Sequence, residues 1–178
     1  MDHRLPRAVL FDRDGTLIRD VPYNGDPDLV EPMPTAVQAV QLLRAHGIRI
    51  GVVTNQSGIG RGLVGAAEVE AVNARVELVF GGFDVWRVCP HHPDDGCACR
   101  KPAPGLLMDA CDALGVAPED VAMLGDIGAD MAAAEAAGVR GILVPTEVTR
   151  HEEIRAAREV AATTGDAVRT LLGDRSAA

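Results

Sequence analysis

Short apolar runs alternate with amphipathic stretches along most of this chain, and that alternation limits its possible folds more than any other feature. Ala8–Phe11, Ile48–Val53, Phe83–Val88, Val121–Leu124 and Gly141–Val144 have the length and content of buried strands. Between them, Thr35–His46, Ala66–Phe80, Leu106–Leu114 and Met131–Ala137 carry apolar residues at helical spacing. Each of these stretches is followed by a glycine, which suits a helix end. From about His151 the chain reads as helical, with a Ser/Ala tail expected to fray. Strands that alternate with helices predict a parallel sheet covered on both faces, an α/β, Rossmann-like architecture. Ligands of such sheets sit at the carboxyl ends of the strands, so the residues just after each strand carry the functional argument.

Bulk properties narrow the class further. A chain of 178 residues suits one domain, residues 1–178, with a sizeable core. Aromatics are only 3%, so Val, Leu, Ile and Ala must build that core. A net charge of -9 argues against a nucleic-acid partner. No apolar run is long enough to span a bilayer, and Met1 to Arg7 lacks the apolar stretch of a signal peptide. A cytoplasmic protein with no membrane partner is expected, monomeric by default.

Reactive residues cluster at the predicted strand ends. Asp12 and Asp14 follow the first strand, and Thr54 and Asn55 the second. Arg100 and Lys101 precede the third helix. Asp126 follows the fourth strand, with Asp130 one turn on. Singly, each reads as a turn or cap residue; together they fall at one edge of the sheet. Phosphoryl transfer needs a nucleophile, an acid for the leaving oxygen, and positive charge around the phosphoryl oxygens. Asp12 supplies an ionised carboxylate nucleophile. Asp14, two residues on, is placed to give and then take a proton. Asp12 and Asp126 can share a divalent cation, and few oxygen ligands suit Mg²⁺. Lys101 adds charge and Thr54 a hydroxyl.

This set resembles the haloacid-dehalogenase-type phosphatase superfamily. The first motif, D-x-D-G-T, is Asp12-Arg13-Asp14-Gly15-Thr16. Thr54, Lys101 and the pair Asp126 and Asp130 match the remaining three motifs. Phe11–Leu17, Thr54–Ile59 and Cys99-Arg100-Lys101-Pro102 look closest to the subgroup of heptose-1,7-bisphosphate 7-phosphatases and histidinol-phosphate phosphatases. The resemblance implies that Asp12 is the nucleophile and Asp14 the acid/base. It implies Mg²⁺ on Asp12, the Asp14 main-chain oxygen and Asp126, with Thr54 and Lys101 holding the phosphoryl group. Arg100 would touch substrate, as would Asp20, Tyr23, Asn55, Gln56 and Ser57. Members of the subgroup often carry a basic or polar residue after the fourth-motif Asp, where this chain has Ile127.

Cys89-Pro90-His91-His92 followed by Cys97-Ala98-Cys99 offers three thiolates and an imidazole, a complete tetrahedral Zn²⁺ shell with no position left for water. The resemblance selects His91 rather than His92 as the fourth ligand. Cys111 reads as a core residue. The loop ends directly at Arg100-Lys101, so a structural metal there would fix two substrate-facing cations. The motif spacing leaves no room for an inserted cap domain, which predicts an open site. Arg19, Asn24 and Arg61 are further candidate contacts. The expected substrate is a phosphorylated sugar, the 7-phosphate of D-glycero-D-manno-heptose 1,7-bisphosphate, with histidinol phosphate as the alternative. A non-catalytic zinc-stapled binding module is the alternative of another class.

Overall fold

A computed structural model describes residues 5–173. The tail expected to fray and the first four residues lie outside them. Five parallel strands form one sheet in the order β3-β2-β1-β4-β5: β1 Ala8–Phe11, β2 Arg49–Asn55, β3 Val85–Cys89, β4 Val121–Gly125 and β5 Arg140–Leu143. The helices are α1 Ala36–Ala45, α2 Ser57–Gly60, α3 Ala66–Phe80, α4 Gly105–Leu114, α5 Gly128–Ala137, α6 His151–Ala156 and α7 Thr164–Leu171.

Alternation along β1 divides the core in two. Val9 and Phe11 point into a cluster with α1, α3 and α7, through Val40, Leu43, Val72, Val76, Val168 and Leu171. Ala8 and Leu10 point into a second cluster with α4 and α5, through Leu107, Ala110, Cys111, Ala133 and Ala134. All four β1 residues are fully buried, as a central parallel strand with both faces covered must be. Cys111 packs in this core, as its apolar setting implies.

β1 is the switch point: the chain moves from it to β2 on one side and returns to β4 on the other. A crevice therefore opens above the end of β1. Three details differ from the sequence reading. β2 runs on through Thr54 and Asn55, which still pair with Val88 and Cys89, so they end the strand rather than form a turn. Ser57–Gly60 closes one helical turn of its own. The segment after His151 breaks into α6 and α7. Between them Val160 bridges Leu143 at the sheet edge, with Leu143 N donating to Glu159 O at 2.9 Å and Ala161 N to Leu143 O at 2.9 Å. The Thr163 side chain accepts from Asp166 N and restarts the helix as its N-cap.

Candidate active site

The register places three strand ends side by side. Phe11 is level with Val52 of β2 and Leu124 of β4, so Asp12 leaves the sheet between Val53 and Gly125. Asp12 N donates to Leu124 O at 2.9 Å, which fixes the first residue beyond the strand. Gly15 then turns the chain at φ 81, where side chains are strained. A Cβ there would lie 2.3 Å from Asp126 Oδ2, so the glycine also makes room for the Asp126 carboxylate.

Lys101, 3% exposed, reaches this crevice from the loop before α4. Its Nζ donates to Asp12 Oδ1 at 2.6 Å and to Val53 O at 2.9 Å. It also forms an ion pair with Asp130 Oδ1 at 2.6 Å. Carboxylate oxygens of Asp12, Asp126 and Asp130 all lie within 4.8 Å of one another. Burial, with Asp130 and Asp14 nearby, pushes the Asp12 carboxyl up to about 7 against the pull of Lys101. Burial, then Asp12 and Asp130, pushes Asp126 up to about 8. Burial alone would lower Lys101, but Asp12 and Asp130 hold its ammonium well above the ordinary lysine range. Three buried carboxyls around one ammonium are under-neutralised, and a divalent cation fits that donor set.

Asp14 adds no side-chain oxygen to this trio. Arg13 Nε and Nη2 fork onto its Oδ1 and Oδ2 at 3.1 and 3.0 Å, and Gln56 Nε2 donates to Oδ2 at 2.8 Å. Gln56 Nε2 also donates to Thr54 Oγ1 at 2.9 Å, joining the acid/base candidate to the hydroxyl expected to hold the phosphoryl group. Asn55 spends its whole amide on the Lys101 main chain: Nδ2 donates to Lys101 O at 3.0 Å and Oδ1 accepts from Lys101 N at 3.1 Å. It thus positions the lysine loop.

A cavity of about 250 Å³ opens over these groups, with Asp20, Tyr23, Ser57, Ile127 and Val148 also at its wall. Tyr23 is held at φ 54 and is 48% exposed at the rim, with its ring over Gly58, where a Cβ would come within 2.8 Å of Cδ1. Ile127 lines the wall with an apolar side chain. Asn24 is buried and its Oδ1 accepts from Asp26 N at 2.8 Å, the bond of a turn residue. Arg19, Arg61 and Arg100 lie outside this lining. Arg19 pairs with Glu31 at 2.9 Å on the surface, whereas Arg100 has a buried Nη1 without a hydrogen-bond partner. Sequence reasoning missed Asn73, whose Oδ1 accepts from Arg13 Nη1 at 2.7 Å. A larger cavity, about 580 Å³, lies between α5, α6 and β5; its Arg140 is paired with Glu159 and its Arg158 with Glu135.

Beside the crevice, Cys89, His91, Cys97 and Cys99 converge. The Sγ–Sγ separations are 3.2 Å (Cys89–Cys99), 3.5 Å (Cys97–Cys99) and 3.7 Å (Cys89–Cys97). His91 Nδ1 lies 3.1 Å from Cys99 Sγ and 3.5 Å from Cys89 Sγ. A tetrahedral zinc with Zn–S bonds of about 2.3 Å sets its sulfurs about 3.8 Å apart, so these four groups fit such a shell. His92 stands apart and accepts from Asp94 N. Burial raises the Cys97 thiol, but the Arg100 main-chain N–H and the neighbouring thiols outweigh it and bring Cys97 down to about 7. The loop is locked in place: Gly60 N donates to Pro90 O at 2.8 Å, and a Cβ on Gly60 would lie 2.4 Å from His92 N.

A HAD-hydrolase-like family model matches residues 98–172. The chain is 37% identical over 145 residues to the D-glycero-beta-D-manno-heptose-1,7-bisphosphate 7-phosphatase of Pseudomonas putida, covering 79% of this chain and 83% of that one. It is 39% identical over 143 residues to the enzyme of the same name from Pseudomonas aeruginosa, covering 78% and 80%. The D,D-heptose 1,7-bisphosphate phosphatase of B. bronchiseptica, solved with magnesium and phosphate, superposes with a TM-score of 0.84 at 29% identity. That match covers 94% of this chain and 99% of that one. Fold, site and relatives define a phosphoric monoester hydrolase. The chain belongs to the haloacid-dehalogenase-type phosphatases, in the subgroup of the heptose-1,7-bisphosphate 7-phosphatases.

Proposed function

We propose that this protein hydrolyses the 7-phosphate of D-glycero-D-manno-heptose 1,7-bisphosphate through an aspartyl-phosphate on Asp12. The observation that carries the chemistry is Lys101 Nζ, buried and 2.6 Å from both Asp12 and Asp130. That contact offsets part of the negative charge around Asp12 through its Oδ1, and the other Asp12 oxygen would attack. The Asp12 carboxylate attacks phosphorus and the ester oxygen departs with a proton from Asp14. A water then attacks the acyl phosphate, gives a proton back to Asp14, and inorganic phosphate leaves with Asp12 restored. The Thr54 hydroxyl and the Lys101 ammonium hold the phosphoryl oxygens.

Asp12, Asp126 and the Asp14 main-chain oxygen would hold Mg²⁺, with Asp130 beside them; bound there, the ion would neutralise the phosphoryl oxygens and the carboxylates as they meet. Cys89, His91, Cys97 and Cys99 would hold a structural Zn²⁺ that fixes Arg100 and Lys101. The substrate follows from the relatives' names. Asp20, Tyr23, Gln56 and Ser57 would meet the sugar. The reading includes an open site without a cap. Among the described residues, only a loop with one 3-10 turn at Pro27–Leu29 and α1 lie between Asp14 and β2, and only α2, α3, β3 and the cysteine loop between Thr54 and Arg100. It also includes one domain, acting as a monomer in a reducing cytoplasm.

Phosphate release from heptose 1,7-bisphosphate, fructose 1,6-bisphosphate and histidinol phosphate, each with Mg²⁺ and with EDTA, tests the reading. The heptose ester should have the highest kcat/KM, and EDTA should abolish turnover. A tenfold preference for histidinol phosphate, about 1.4 kcal/mol in transition-state binding, would overturn the substrate. No release from any of the three would leave the binding-module alternative.

A further inference from the structure

Arg13 is among the largest fully buried side chains of the protein, at 1% exposure. A buried guanidinium is costly unless its donors are paired, and a Leu or Met would fill the same space without that cost. All three of its nitrogens are paired: Nε and Nη2 on the two oxygens of Asp14, and Nη1 on Asn73 Oδ1. Asn73 lies on α3, whose Val69, Val72, Val76 and Phe80 are buried in the core. The helix is thus a firm mount, whereas Asp14 stands on the loop beyond β1. We propose that Asn73 and Arg13 form a strut from α3 that fixes the plane of the Asp14 carboxyl beside Asp12, with Asn73 as a positioning residue for proton transfer. This rests on the reading of Asp14 as acid/base.

The geometry also distinguishes the two Asp14 oxygens. Oδ2 accepts two bonds, from Arg13 and Gln56, while Oδ1 accepts one, from Arg13 Nε. Oδ1 therefore keeps the lone pair that can carry the proton to the ester oxygen. Without Asn73 the guanidinium loses its third anchor and can swing, and the carboxyl plane swings with it. Misplacement of a reacting group by about 1 Å costs up to about 100-fold.

The test uses two esters that differ in their need for an acid. The alkoxide of fructose 1,6-bisphosphate must be protonated as it leaves; p-nitrophenolate need not be. Asn73→Ala should lower kcat/KM for the sugar ester about tenfold and for p-nitrophenyl phosphate less than about twofold, with Tm close to wild type. Asn73→Asp, which keeps an acceptor for Arg13, should recover most of the loss. If the alanine variant does not fold, Asn73→Ser is read in the same way. Losses on the two esters within twofold of each other, including no loss on either, would overturn the strut. Asp14→Asn on the same pair separates the two ideas: no leaving-group dependence there sinks the acid/base reading itself.

Discussion

Asp12→Asn keeps the shape of the side chain and removes the proposed nucleophile. Turnover should fall at least about 1000-fold, because the amide cannot form the acyl phosphate. The fold should survive, since Lys101 keeps Asp130 and the Val53 carbonyl and one crowded carboxylate is lost. Circular dichroism beside a phosphate-release assay checks both; near-normal turnover would end the covalent mechanism. Asp14→Asn should instead slow turnover about 100-fold and let phosphoenzyme accumulate on an aryl ester, visible as a mass increase after acid quench. Asp12, Asp14, Lys101, Asp126 and Asp130 were legible in the sequence because their spacing tracks the strand ends. Asn73 was not, because a polar residue on a helix 60 positions from Arg13 carries no local signal. The roles of Asn24 and Asn55 were also hidden. Both bond main chain, and main-chain partners cannot be read from side-chain identity.

Among the elements, the loop from Cys89 to Lys101 does the most for the site. Its thiols and His91 converge at one end, and at the other Asn55 grips the Lys101 main chain through two bonds. Losing the metal should therefore loosen the lysine. Freshly prepared protein should contain about one zinc per chain by elemental analysis. Cys97→Ser should lose it, lower Tm by several degrees and reduce kcat, since structural zinc can contribute on the order of several kcal/mol to folding. Zinc absent from the wild-type protein, or Cys97→Ser with full activity and Tm, would remove the loop from the argument. The three clustered thiols were readable from their spacing, with His91 selected over His92 by the resemblance, and all five strands were readable because apolar runs between glycine stops are local signals. The α6–α7 break was not, although Thr163 and Asp166 form its cap. What sets it is the pairing of Val160 with Leu143, a contact between distant residues.

For the whole molecule, the carboxyl cluster couples stability to pH and to Mg²⁺. In the unfolded chain an Asp titrates near 3.8, whereas burial holds folded Asp12 up at about 7 and Asp126 at about 8. Between these limits the folded protein binds more protons than the unfolded one. These two groups should therefore lower the stability of the Mg²⁺-free protein as pH rises, with their loss complete only above about 8. Lys101 contributes nothing to this window, because its ammonium stays protonated well beyond it. Mg²⁺ held by Asp12 and Asp126, as proposed, would act in the opposite direction. It would bind the deprotonated carboxylates of the folded state, so its apparent affinity would tighten as the protons leave, and tighter binding would raise stability by mass action. The increase in Tm on adding Mg²⁺ should be small at a pH of about 6 and grow to a plateau above about 8. Differential scanning fluorimetry of the zinc-loaded protein across that range, with and without Mg²⁺, measures it. Asp126→Asn should flatten both curves, because it removes a titrating group and a metal ligand together. An Mg²⁺ increment that stays constant with pH in the wild-type protein would mean that Asp12 and Asp126 do not hold the ion.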